Sequence, residues 1–208
     1  MKKKILALCL VVALLATAIA GATLAYFTSE TEVATNTFTV GNIEIKLDEA
    51  EVDDKGIAIP DGDRVLENDY HLYPGMTYDK DPTVTVLKGS EKCYVRAFVT
   101  INNQEALDNV SYGAVALDTI LTGFDGTKWE YQDSTVEGDV RTYEFWYYDI
   151  VDAGAAEQKL EPLFKNIVIP EGINNADMQA LNNLEITVYA HAMQAEGMAD
   201  AVDAWSKW

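Results

Sequence analysis

The sequence predicts an all-β fold, a β-sandwich with short helical insertions and a C-terminal helix, on three observations. Short segments rich in Val, Ile, Thr and aromatic residues recur along the chain, and such side chains suit a pleated, half-buried surface. Turn signals separate them, as at Tyr73-Pro74-Gly75-Met76, Lys88-Gly89-Ser90-Glu91 and Pro170-Glu171-Gly172. Two segments, 93–101 and 184–193, alternate strictly, which turns one face of each toward a core.

The chain begins with Lys2-Lys3-Lys4 and an apolar run from Ile5 to Ala20. Thr23-Leu24-Ala25 then offers small residues at the two positions a signal peptidase reads, so residues 1–25 are expected to be a signal peptide cut between Ala25 and Tyr26. From Ile5 to Ala25 the run is also long enough to span a bilayer, and an uncleaved anchor is the alternative. The polar Thr/Ser/Glu stretch that follows at once favours cleavage. Residues 26–208 are read as one domain, since no repeat or Pro- or Ser-rich linker divides them. Cleavage leaves a strand-forming arm of about residues 26–40, with Tyr26, Phe27, Val33, Phe38 and Val40 as its larger apolar side chains. The β-prone pattern continues through Ile43, Ile45 and Leu47.

Asp48 to Asp69 reads as a loop, with acidic residues at 48, 49, 51, 53, 54, 61, 63, 67 and 69 and Gly56, Pro60 and Gly62 as punctuation. It lacks the alternating oxygens and closing Glu of an EF-hand, so a solvated acidic excursion is the simpler reading, with weak divalent-cation binding as the other. Thr83 to Leu87 is a strand. In the next strand Cys93, Val95, Ala97, Val99 and Ile101 share the core face, opposite Tyr94, Arg96, Phe98 and Thr100. Cys93 is then a buried structural thiol. Ala106 to Phe124 mixes helical and strand signals. Lys128–Gln132 and Val140–Ile150 form a hairpin around Asp133–Asp139, and its aromatics, Tyr143 to Tyr148, read as cross-strand packing more readily than as a ligand platform. Phe164–Ile169 is a short strand and Ala176–Asn182 a short helix. In the last strand Leu184, Ile186, Val188, Ala190 and Ala192 face inward, opposite Glu185, Thr187, Tyr189, His191 and Met193. Met198, Ala201, Val202, Trp205 and Trp208 recur at helical spacing, as a stripe that packs on its own domain or covers a neighbour.

Composition bounds the function. Without Lys2, Lys3 and Lys4 the chain has 12 basic residues against 34 acidic ones, a net charge near −22. Such a surface repels phosphate backbones and anionic lipid, which argues against nucleic-acid binding and against membrane binding after cleavage. Cys9 lies within the apolar leader, too early for a lipoprotein cleavage site, so Cys93 has no partner for an internal disulfide. The histidines are His71 and His191, with no His-Glu-x-x-His helix to build a two-imidazole zinc site. No Gly-x-Ser-x-Gly elbow, phosphate loop or dinucleotide fingerprint occurs. The expectation is a non-enzyme with no catalytic residue, no metal site and no cofactor.

The stretches ATLAYFT and TNTFTVGNIEI, then LYPGMTYDKDPTVTV, GSEKCYVRAFVTI, LEITVYAHAMQAEG and AVDAWSKW, together resemble the TasA/camelysin family of secreted Gram-positive matrix proteins, and most closely its BsaA-like clostridial branch. The resemblance implies the jelly-roll form of the sandwich, release by a SipW-type signal peptidase, and a place in the extracellular matrix or at the cell surface. It also implies a biofilm fibre protein that polymerises head to tail by donating its N-terminal strand, with an assembly helper as a further partner. Some camelysin relatives carry a metallopeptidase label, which the residues here do not support. The alternative from a different class is a monomeric surface module that binds an adhesion target, with the arm lying on its own sheet. With no LPxTG-type sorting sequence, retention at the cell is expected to come through assembly.

Overall fold

The computed structural model describes residues 41–110, 117 and 119–208, which belong to one unit, Gly41–Trp208. Ala25, Tyr26 and the arm residues Phe27, Val33, Phe38 and Val40 lie outside the described residues. The strands are β1 (Ile45–Ala50), β2 (Arg64–Val65), β3 (Thr77–Asp79), β4 (Thr83–Val86), β5 (Cys93–Ile101), β6 (Leu121–Thr122), β7 (Trp129–Glu137), β8 (Val140–Tyr147), β9 (Gln158–Lys159), β10 (Asn166–Val168) and β11 (Ile186–Gln194). Three short helices, α1 (Gln104–Val110), α2 (Asn175–Ala180) and α3 (Ala201–Trp205), complete the described elements.

The strands form three antiparallel sheets, in the orders β2-β1-β4-β9, β3-β10-β6 and β11-β5-β8-β7. Their inner faces share one apolar core, so the fold is the all-β sandwich that the alternation predicts. Strand β5 lies at its centre. Cys93, Val95, Ala97, Val99 and Ile101 are at most 1% exposed; β11 pairs along the whole of that row and β8 along its second part, from Arg96 to Ile101. Tyr143, Phe145 and Tyr147 of β8 face the same core, so the aromatic run packs across strands, as in the Trp129–Tyr147 edge contact at 5.0 Å.

The hairpin is tighter than its sequence implies. Strand β7 runs on to Glu137, which pairs with Val140, and Gly138 takes φ +63° in a two-residue turn. Glycine supplies that conformation without steric cost. A bulge between Tyr131 and Asp133 shifts the register, and Ser134, Thr135 and Val136 continue the ladder.

The acidic stretch departs further from expectation. It opens inside β1, with Asp48 and Glu49 buried, although Asp53, Asp54, Asp61 and Asp63 are exposed as a solvated loop requires. Two cations compensate. Arg64 donates from Nε to Asp48 Oδ1 at 2.8 Å and from Nη1 to Asp81 Oδ2 at 2.5 Å. Lys80 Nζ meets Glu49 Oε2 at 2.5 Å, and both side chains are less than one-tenth exposed. The Asp81 carboxylate also accepts the Ala50 amide at 2.6 Å, so the network ties β1, β2 and the start of β4 together.

Removing one member of a buried ion pair leaves a charge with no water and no partner. Arg64 keeps a quarter of its side chain exposed. Arg64→Ala should therefore cost somewhat less than a fully buried break, about 2–3 kcal/mol, as read by urea unfolding. A change within about 0.5 kcal/mol would show that the network is only a surface arrangement.

Candidate functional site

The candidate site is the outer edge of β11. Among the described residues β11 pairs with β5 alone. Two bonds flanking the ladder, Asn102 N–H to Glu185 O at 3.3 Å and Ala195 N–H to Lys92 O at 2.8 Å, fix its phase. Hydrogen-bonded and non-hydrogen-bonded pairs alternate in an antiparallel ladder. Thr187, Tyr189, His191 and Met193 therefore spend their backbone groups on β5, and Ile186, Val188, Ala190, Ala192 and Gln194 point theirs toward the open side. The side chains of Ile186, Val188, Ala190 and Ala192 reach the core but are only partly buried, whereas Val95, Ala97, Val99 and Ile101 beside them on β5 are sealed. This is an edge with backbone groups and apolar surface both on offer.

The opposite face of β5 and β11 carries a capped aromatic cluster. Asp200 caps α3 by accepting the Asp203 amide at 2.8 Å. Helix α3 then seats Ala204 and Trp205 against Tyr94, with Trp146, Met193 and Met198 around them. The C-terminal stripe thus packs on its own domain, but only in part: Val202 and Trp208 stay largely exposed, because the helix is five residues long and presents one side. The Arg96 guanidinium lies over the rings of Trp205 at 4.5 Å, Phe98 at 5.0 Å and Trp208 at 5.3 Å. It also donates to Glu144 Oε1 at 3.1 Å and to His191 Nδ1 at 3.3 Å. His191 stacks on Trp208 at 4.4 Å with an interplanar angle of 14°. Loss of water lowers its pKa below the ordinary histidine value and the Arg96 charge lowers it further, while Glu144 acts the other way.

His71 and His191 have different settings. His71 lines an open groove of about 670 Å³ with Asn68, Tyr70, Lys80, Met178 and Ile186, and His191 belongs to the aromatic cluster. Among the described residues no three His, Cys, Asp or Glu side chains stand together as a metal-holding group. Cys93 is buried, and desolvation pushes its thiol up to about 11.

Residues 1–77 match the family model described as Camelysin metallo-endopeptidase. The match covers the first 77 of 208 residues and is a likeness to the camelysin family. The matched segment takes in β1, β2 and the first residue of β3, and ends before the β5 and β11 stretches. The chain is also similar to an arginine deiminase of Metamycoplasma arthritidis (strain 158L3-1), 32% identical over 125 residues. That likeness covers 55% of this chain and 28% of the deiminase, so the chain spans little more than a quarter of that relative's length. No solved structure matches. Among the described residues no helix is long and apolar enough to cross a membrane.

Sequence reasoning placed His191 on the outer face of its strand but missed Arg96, Glu144 and Trp208 around it. The signal was the facing register of β5 and β11, which two matched alternating segments make available.

A histidine whose folded pKa lies below its unfolded value costs stability as pH falls, because the unfolded chain then binds the proton more readily. For His191 the loss begins near the ordinary value of about 6.5 and continues down to the lowered folded value. Denaturant titrations at stepped pH should show stability falling below neutrality, with a shallower fall in His191→Gln. Equal slopes for the two proteins would mean that other groups set the acid response.

Proposed function

We propose that this chain is a secreted structural protein of the extracellular biofilm matrix, released by a SipW-type signal peptidase. Mature copies assemble head to tail, and the arm of residues 26–40 from one subunit adds as a strand to the next. The observation that carries this reading is the outer edge of β11, where the outward-facing backbone groups of Ile186, Val188, Ala190, Ala192 and Gln194 form a template for one more strand. The likeness of residues 1–77 to the camelysin family supports it independently.

Each main-chain bond adds a modest net amount, about 0.5–1.5 kcal/mol, so a row of them is needed to hold two subunits. Partly buried Ile186, Val188, Ala190 and Ala192 leave apolar surface for Phe27, Val33, Phe38 or Val40 to cover, which also sets register. The contact is heterologous and gives an open filament unless its rotation closes a ring. Net charge near −22 per mature subunit opposes approach, so acid, salt or divalent cations favour assembly.

In this reading the chain has no peptidase role and needs no cofactor; weak divalent binding by the exposed acids of the 51–63 loop would act only through charge. The arginine deiminase likeness brings no activity with it, since it reaches only 28% of that protein. An assembly helper fits the reading without being required by it.

Two variants test the proposal by electron microscopy and light scattering. Deleting residues 26–37 should leave a folded monomer that forms no fibres. Ala190→Pro removes an N–H that points away from β5, a change edge strands tolerate, and should block fibre growth while the monomer stays folded. Unchanged fibres from both variants would refute strand addition at β11. A mature protein that stays monomeric in acid, salt and calcium would instead favour the surface binding module.

A further inference from the structure

We propose that Lys80 and Asn68 become joined by an intramolecular side-chain amide bond, formed in the folded domain with Glu49 as the proton-transfer group. The proposal is independent of fibre assembly. It rests on two side chains that the fold brings onto one carboxylate. Lys80 Nζ lies 2.5 Å from Glu49 Oε2, with the two side chains 9% and 5% exposed. The other oxygen, Glu49 Oε1, accepts from Asn68 Nδ2 at 2.9 Å. A primary amine and a primary carboxamide thus occupy the two oxygens of a single buried acid.

The carboxamide is held at both ends. Its Nδ2 also donates to Ala50 O at 2.9 Å, and its Oδ1 accepts the Val52 amide at 3.1 Å. That amide stands where negative charge would grow on the oxygen if the carbon were attacked, and a fixed donor there stabilises such a charge. The Tyr70 ring covers the amine, with Lys80 Nζ 5.8 Å from its centroid. A lysine serving only as a structural counter-ion needs its carboxylate partner; it does not need a restrained carboxamide on the other oxygen.

The chemistry balances with these groups alone. One proton passes from Lys80 Nζ to Glu49 Oε2, cancelling both buried charges and leaving a nucleophilic amine. Nζ attacks Asn68 Cγ, and the carbonyl electrons move onto Oδ1, toward the Val52 amide. The Glu49 carboxyl delivers its proton to Nδ2, its existing hydrogen-bond partner, as a general acid. The Cγ–Nδ2 bond breaks, the carbonyl reforms, and ammonia leaves. Glu49 takes the surplus proton from Nζ and releases it, so the net products are one secondary amide and one ammonium ion. Asn68, Tyr70 and Lys80 line the open groove, which gives ammonia a way out. The cross-link would close a loop through the Tyr73–Met76 turn and fasten the 66–72 stretch. Those residues belong to no strand and are held by side-chain bonds such as Tyr70 OH to Asp79 O and Tyr78 OH to His71 O. A domain whose described cysteine is a lone buried thiol would gain a covalent tie that needs no oxidant.

Intact-mass spectrometry of the secreted protein tests this. The wild-type chain should fall short of its calculated mass by one ammonia, about 17 Da, and its digest should contain a branched peptide linking Lys80 to Asn68. Lys80→Arg and Glu49→Gln should restore the full calculated mass. Asn68→Asp should still cross-link but lose water instead, about 18 Da, which confirms the leaving group even if another variant fails to fold. Wild-type protein at its full calculated mass after prolonged incubation would overturn the proposal. So would an ammonia loss that persists in Lys80→Arg, since that marks a cyclic imide at an asparagine.

Discussion

Strand β5 is the constraint on which the rest of the domain depends. A row of side chains from Cys93 to Ile101 is sealed from water, and a shift of one residue would turn all of them outward. With the register of β5 fixed, its ladders to β8 and β11 are fixed too. Arg96 then faces Glu144 and His191, and the backbone groups of Ile186 and its alternate neighbours face outward. The aromatic cap follows from that alternation, whereas the edge of β11 follows from its place at the end of the sheet order among the described residues.

Charge is handled differently on the two sides of the sandwich. On the β1 side, buried carboxylates meet Arg64 and Lys80 at hydrogen-bond distance, and the bonds satisfy most of the oxygens involved. Buried ion pairs contribute little net stability compared with apolar packing, but breaking one is costly. They therefore specify how β1, β2 and the start of β4 meet more than they strengthen the fold. On the outer face of β5, Arg96 is spread over aromatic rings, where attraction to the ring faces replaces part of its lost hydration. Asp53, Asp54, Asp61 and Asp63 stay on the surface, where salt screens their charge.

The parts of the fold legible in the sequence were those written in local periodicity. Residues 93–101 and 184–193 announced their faces, and the Pro-Gly turn and the short helix before β11 were visible from neighbouring residues. The buried role of Asp48 and Glu49 was not, because it depends on Lys80, 31 residues beyond Glu49, and no window around residues 48–69 contains that partner. The length of β7 was hidden for a related reason: Asp133 and Ser134 look like turn residues, yet a bulge lets them continue the ladder. Of the candidate site, the β-prone arm was legible as composition, but its acceptor was not. An open edge is a property of strand order, which periodicity does not encode.

The central claim, that the outer edge of β11 receives a strand, is tested most directly by residue-resolved hydrogen exchange on fibres and on dilute mature monomer. The account predicts that the amides of Ile186, Val188, Ala190 and Ala192 exchange quickly in the monomer and slowly in fibres, while those of Thr187, Tyr189 and His191 are protected in both. Fibres in which the first set still exchanges as fast as in the monomer would contradict it, and the subunits would then have to be joined elsewhere.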